Sequence, residues 1–259
     1  MKRHKKQPPV LGGFGKGIGG SISLNFSASA TANCSTRCRH HPESKAPNAT
    51  NACYAVVLER RNDRRELLAK LARHELMNPA LLCGRAIVEI QKILSKGKRI
   101  PWLRISTDGS LPMPGKVRPL FVSQFRALLT LCRDNGIPVH IPIETHNKAE
   151  FYRSVIGDLV VIRESLQTDG THTTTDGAVS FVAGDDIRSG KAIRERRISA
   201  ARTMAKERTE STGRKCIVCP AVVSGFRAKT ARLPANPRAK CGSCTACSLA
   251  HIDIVYPMH

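Results

Sequence analysis

The chain is expected to fold as an α/β protein, a partial (β/α) barrel-like core followed by a cysteine-rich metal-binding C-terminal tail. Three observations carry this expectation. Strand-like and helix-like segments alternate with short connections from Trp102 to Lys206, the pattern of parallel strands joined by crossover helices. Eight of the ten cysteines fall in two sets near opposite ends of the sequence, Cys34, Cys38 and Cys53 (C-x3-C-x14-C) and Cys216, Cys219, Cys241, Cys244 and Cys247 (C-x2-C-x21-C-x2-C-x2-C). From Thr209 onward Gly, Pro, Arg and Cys dominate without sustained periodicity, so bound ions are expected to replace a core too small to form. The organisation that follows is a basic, Gly-rich arm over 1–20, an α/β core over 21–208 that carries the first cysteine set, and a metal-stapled tail over 209–259.

In the arm, Gly15, Gly17 and Gly20 satisfy G-x-G-x-x-G by letter. That fingerprint needs a strand before it and a helix after it. Here a Lys/Pro-rich run precedes it and the alternating Ser21-Ile22-Ser23-Leu24-Asn25-Phe26 follows, so the glycines read as points of close backbone approach. A helix is predicted from Tyr54 to Met77, with Val57, Leu58, Leu67, Leu68, Leu71 and Leu76 on its apolar side and Arg60, Arg61, Arg64, Arg65 and Arg73 mostly opposite. A second helix is predicted from Pro79 to Leu94. Pro101 to Ser106 reads as a short buried strand ended by Asp108-Gly109, and a helix from Arg118 to Arg133 is stopped by Asn135-Gly136. Strand Val139 to Ile143, a short helix from Asn147 to Val155, strand Leu159 to Arg163, strand Val179 to Val182 and a helix from Asp186 to Lys206 complete the core. His251 to Pro257 is expected to add an edge strand.

Sites in α/β folds lie outside the carboxyl ends of the strands. The polar residues there are Ser106 and Asp108, Glu144 and His146, Glu164 and Ser165, and Asp185 and Asp186. Asp108 and Glu144 are the candidate catalytic carboxylates, with Arg104 orienting ligand groups. Helix capping is the structural alternative, and it suits Asp185 or Asp186 well.

Charge points to partners. The chain carries 42 Lys and Arg against 20 Asp and Glu, a net +22, and polyanions are the natural counterpart: nucleic acid first, an anionic membrane surface second. The candidate phosphate contacts are Lys2, Arg3, Lys5 and Lys6 of the arm and Arg60, Arg61, Arg64 and Arg65 of the first helix. A solvated helix face is the alternative for the second group. Aromatic content of 4% argues against an RNA-recognition sheet. No apolar stretch approaches the roughly 18 residues of a membrane span, and Pro and Gly break up the segment after the basic N-terminus. A cytoplasmic location is therefore expected, where reduced cysteines serve as metal ligands.

The tail set is compatible with two metals. Paired C-x2-C knuckles resemble a zinc ribbon, whereas the triple C-x2-C-x2-C is the compact run of ferredoxin clusters. The first set offers three cysteines. Either a histidine such as His40 or His41 completes a zinc knuckle, or a [4Fe–4S] cluster is held with one iron open. Tyr54, next to Cys53 at a predicted helix start, would put an aromatic ring and backbone amides beside such a cluster. Cys83 and Cys132 lie in apolar helical patterns and read as core residues.

The segment Cys34-Ser-Thr-Arg-Cys38 through Cys53-Tyr54-Ala55, the strand Leu103-Arg104-Ile105-Ser106 before an acidic residue and a glycine, and the closing C-x2-C-x2-C together resemble a family of uncharacterised phage and mobile-element proteins. More distantly, three N-terminal cysteines ahead of repeated strand–helix units are similar to the radical S-adenosylmethionine (SAM) superfamily. Its usual motif is C-x3-C-x2-C, and here the insertion His40 to Ala52 lengthens the second gap. The resemblance implies a partial or full (β/α) barrel and a [4Fe–4S] cluster on Cys34, Cys38 and Cys53 whose open iron receives SAM. It further implies cleavage of SAM to a 5′-deoxyadenosyl radical that abstracts hydrogen from a substrate over the strand ends. A rival expectation is a non-enzymatic, zinc-stabilised nucleic-acid-binding regulator or inhibitor encoded by a mobile element. A third is a nuclease or glycosylase using Asp108 and Glu144.

Overall fold

The computed structural model describes residues 9–13, 22–26, 45, 80–106, 111–143, 145–166, 178–183, 191–220, 223 and 246–257. They divide between two compact units, 1–13 with 22–137, and 14–21 with 138–259.

The first unit contains β1 (Leu11–Gly13), β2 (Ile22–Leu24), α1 (Ala80–Leu94), β3 (Leu103–Ile105) and α2 (Pro119–Asp134). β2 pairs antiparallel with β1 and parallel with β3, setting Leu24 opposite both Leu11 and Ile105. α1 buries Leu82, Cys83, Ala86 and Ile90, the three-to-four spacing of one helix face. α2 starts with Pro119, whose missing N–H costs nothing in a first turn, and buries Phe121, Phe125, Leu128, Leu129 and Cys132. Phe121 stacks on Phe125 at 5.2 Å and meets Phe26 edge-on at 6.0 Å. The helix stops where Gly136, at φ 61°, lets the Ile137 N–H donate back to Cys132 O at 2.8 Å. Glu89 of α1 holds β1 in place, accepting the N–H groups of Val10 at 2.7 Å and Leu11 at 3.0 Å.

The second unit contains β4 (Val139–Ile143), α3 (His146–Ile156), β5 (Ile162–Leu166), β6 (Val179–Ala183), α4 (Lys191–Thr212), β7 (Lys215–Val218) and β8 (Ile252–Pro257). All its strand pairs are parallel, in the order β4-β5-β6-β8-β7. The fold class is thus α/β with mainly parallel strands, as the alternation of segments predicts. No helix among the described residues is long and apolar enough to cross a membrane.

Three elements differ from expectation. β5 begins at Ile162 rather than Leu159, because the Leu159 and Val160 N–H groups bond back to Ile156 O and finish the turn of α3. The expected start of α4 at Asp186 lies outside the described residues, and the helix (Lys191–Thr212) runs past the expected end at Lys206 and through the composition change at Thr209. There the hydroxyls of Thr209 and Thr212 donate to Ala205 O and Arg208 O, and Gly213, at φ 67°, ends the helix. β8 is not at an edge: it lies between β6 and β7, and β7 takes the edge position.

The C-terminal segment brings apolar surface of its own to this unit. On the α4 side, Val179, Ala201, Ala205 and Val255 form a cluster against which Met204, Cys216 and Val218 pack. A second cluster joins Cys219, Ile252 and Ile254 with Ile217, Ala246, Cys247 and Leu249. Two buried ionic groups link the pieces. Arg163 of β5 donates to five carbonyls: Val179 and Ile252 at 2.9 and 2.8 Å, Leu249 at 3.0 Å, and Cys247 and Ala246 at 3.3 and 3.4 Å. Asp253 accepts the Val179 N–H at 3.1 Å, Arg208 Nε at 3.0 Å and an Arg214 Nη at 3.3 Å.

Candidate functional site

Of the residues singled out from sequence, Lys2, Arg3, Lys5, Lys6, Cys34, Cys38, Cys53, Tyr54, Arg60, Arg61, Arg64, Arg65, Asp108, Glu144, Cys241 and Cys244 lie outside the described residues. Arg104, Cys216, Cys219 and Cys247 lie within them.

Arg104 sits on β3 opposite Ser23 of β2. Two residues on, at the carboxyl end of β3, Ser106 adopts φ 59° while 8% exposed. Its N–H is held by Leu24 O at 2.9 Å, and its hydroxyl has no hydrogen-bond partner among the described residues. A non-glycine residue kept in the left-handed region costs on the order of 1 kcal/mol and persists where the chain must be aimed. Ser106 is thus a strained residue at the carboxyl end of β3.

The carboxyl end of β4 in the second unit carries a histidine–carboxylate pair. Glu164 of β5 lies level with Ile143, the last residue of β4, and its side chain is 1% exposed. His146, the first residue of α3, brings Nδ1 within 3.1 Å of Glu164 Oε2 and Nε2 within 3.2 Å of Glu150 Oε1. Arg153, two turns further along α3, comes within 3.7 Å of the same Glu164 oxygen. The buried carboxylate orients the imidazole, while Nε2 is on the more exposed side, beside Glu150. The arrangement can hold or pass a proton at Nε2, and it also fixes α3 to β5. His146 and Glu164 were legible as strand-end polar groups; their pairing was not, because it depends on the register of β4 with β5.

The cysteines of the second unit are not all on one side. Cys219, just past β7, is buried, and its N–H donates to Val255 O at 2.8 Å. It shares a cluster with Cys247, which stands in a single 3-10 turn, Ala246–Ser248, directly before β8. Two thiols from distant parts of the sequence on one small patch are a donor set that suits a soft metal ion. Cys216 packs instead with Val179, Ala201 and Ala205, and burial, followed by the Asp253 charge, pushes its thiol up to about 11. Among the described residues no three His, Cys, Asp or Glu side chains gather as a metal site would require. Cys83 and Cys132 are core residues as expected, and burial pushes the Cys132 thiol up to about 12.

One basic cluster was missed. Lys92, Lys96, Lys98 and Arg99 are exposed around the turn that ends α1, and none takes part in an ion pair among the described residues. Gly97, at φ 67°, shapes that turn. The signal was present as Lys96-Gly-Lys-Arg99, overlooked beside the denser arginine run of 60–65.

No family model, no curated protein and no solved structure matches this chain.

Proposed function

We propose that this chain is an iron–sulfur protein of phage or plasmid type, with a radical-SAM-like, partial (β/α) barrel core, acting on or near nucleic acid in the cytoplasm. The observation that supports it furthest is that Cys219 and Cys247 belong to one cluster beside five parallel strands, since the cysteine-rich end is then built into the α/β core. Cys34, Cys38 and Cys53 are the residues to hold the working [4Fe–4S] cluster, with Tyr54 beside it. When bound, that cluster together with SAM supplies one-electron chemistry and a carbon radical able to abstract hydrogen. The chain's own residues do the remainder. Arg104, Asp108 and Glu144 orient polar groups of the ligand, His146 is held in place by Glu164 at the end of β4, and the basic clusters grip phosphates.

One observation favours a second reading, a zinc-stabilised nucleic-acid-binding protein. Cys219 is 7% exposed and packed among isoleucines, a setting where a metal braces rather than reacts.

Anaerobic purification from iron-replete cells, with iron, acid-labile sulfide and zinc measured per chain, decides between them. The iron–sulfur reading expects brown protein with sulfide and a broad absorbance that bleaches on reduction. Stoichiometric zinc without sulfide overturns it in favour of the zinc protein.

A further inference from the structure

Five cysteines in the C-terminal part are one more than a tetrahedral site or a cubane cluster takes. The spacing C-x2-C pairs Cys216 with Cys219, as in a zinc knuckle. A knuckle requires both thiols to project from one tight turn toward one point. Here Cys216 lies inside β7, an extended strand, and side chains of a strand alternate between its faces. Cys216 and Val218 accordingly pack on the α4-side cluster, against Val179, Ala201, Ala205 and Val255. Ile217 and Cys219 pack on the other, with Ile252, Ile254, Ala246 and Cys247. The register of β7 with β8, Cys216 opposite Asp253 and Ile217 opposite Ile254, fixes this division. Slipping β7 by one residue would reverse it, but it would also move Ile217 from its isoleucine partners.

We infer that Cys216 is not a metal ligand but a core thiol of the α4 interface, and that the C-terminal metal is held on the opposite side by Cys219 and Cys247. This rests on the metal-binding reading above. Cys241 and Cys244, outside the described residues, are the remaining cysteines of the set. The ligand class is a soft, thiolate-coordinated centre, zinc or an iron–sulfur cluster. The C-x2-C step at Cys216 is then incidental. Its first cysteine does the work of a small apolar residue.

Site-resolved alkylation of the full chain, as purified and after chelator treatment, tests the division, with iron, sulfide and zinc measured in the same samples to identify the centre. Removing the metal should raise the alkylation rates of Cys219 and Cys247 by about tenfold or more and leave that of Cys216 unchanged. A rise at Cys216 matching the other two overturns the assignment while leaving the metal reading intact. No rise at any of the three overturns both, because then no metal is held there. As a second arm, Cys216→Val should keep the wild-type metal content, whereas Cys219→Ser should lose the C-terminal metal. A folded Cys216→Val protein, by circular dichroism and limited proteolysis, that has lost the same metal refutes the inference.

Discussion

In the first unit the described interior is aromatic and aliphatic: Phe26, Phe121 and Phe125 pile together, and α1 and α2 meet through Leu, Ile, Ala and Cys side chains. Among the described residues, those of the first unit that are buried and polar are Ser23 and Ser106, whereas in the second unit they are His140, Lys148, Arg163, Glu164, Arg197, Arg208 and Asp253. The difference follows from what each unit has to pack. A pair of amphipathic helices closes a core by surface area alone. The second unit must secure a Gly- and Pro-rich segment that re-enters the sheet as β8, and small apolar patches cannot fix its register. Directional groups do so: Arg163 gathers carbonyls of β6, β8 and the turn before β8, and Asp253 ties β8 to α4 and to β6. A buried ion pair adds little over a well-packed apolar pair but is very costly to break on one side only. The second unit is therefore expected to fail abruptly where the first degrades gradually.

The sharpest way to break this contrast is to remove one partner of each brace. Asp253→Ala removes the carboxylate that accepts from Arg208, Arg214 and the Val179 N–H, and Arg163→Leu removes the guanidinium that donates to five carbonyls. Each should cost about 3–5 kcal/mol in denaturant unfolding of the full chain. A loss below about 1 kcal/mol would mean that apolar packing alone holds β8. In the first unit Phe121→Leu keeps most of the buried volume and should cost only about 1–1.5 kcal/mol in the same assay.

A smaller effect separates the units by pH. Cys132 and Cys216 have folded-state thiols pushed up to about 12 and about 11 from 9.0. The unfolded chain therefore loses these protons first as pH rises, and stability must fall. The contribution is complete below pH 9.0 and is lost progressively toward 11 and 12. Unfolding curves from pH 8 to 11 should show that decline, and Cys132→Ala should remove the first unit's share of the slope. A slope that Cys132→Ala leaves unaltered would assign the pH effect to other groups.

The smallest expected change in stability, within about 0.5 kcal/mol, is that of Lys96→Ala with Lys98→Ala, since both are exposed and unpaired among the described residues. Their effect should appear in binding instead. If that turn contacts phosphate, the double variant weakens affinity for unrelated DNA or RNA sequences about equally and lowers the salt slope by about one charge per lysine. Unchanged affinity at low salt would remove the α1 turn from any nucleic-acid surface.

Local periodicity was enough for much of this molecule. The helices α1 and α2, the strand β4, the stop at Asn135-Gly136 and the burial of Cys83 and Cys132 are all readable from spacing and turn chemistry, because each depends on neighbours within one or two turns. The same reasoning misplaced β5, where β-branched Val160 and Val161 suggest a strand but Leu159 and Val160 still belong to the turn of α3. It also ended the last helix of the core at Lys206, although α4 continues to Thr212, where the Thr209 and Thr212 hydroxyls bond to carbonyls one turn back.

Composition and spacing by themselves determined that this is a strongly basic α/β chain with two cysteine sets, because charge totals and short-range patterns need no partner to be seen. Only the tertiary structure decided that β8 enters between β6 and β7, that Arg163 and Asp253 are interior braces, that His146 meets Glu164, and that Cys219 and Cys247 share a cluster without Cys216. Each of these joins residues far apart in the sequence through the register of a strand pair. A one-residue slip in that register changes which face a side chain occupies, and no local pattern records it.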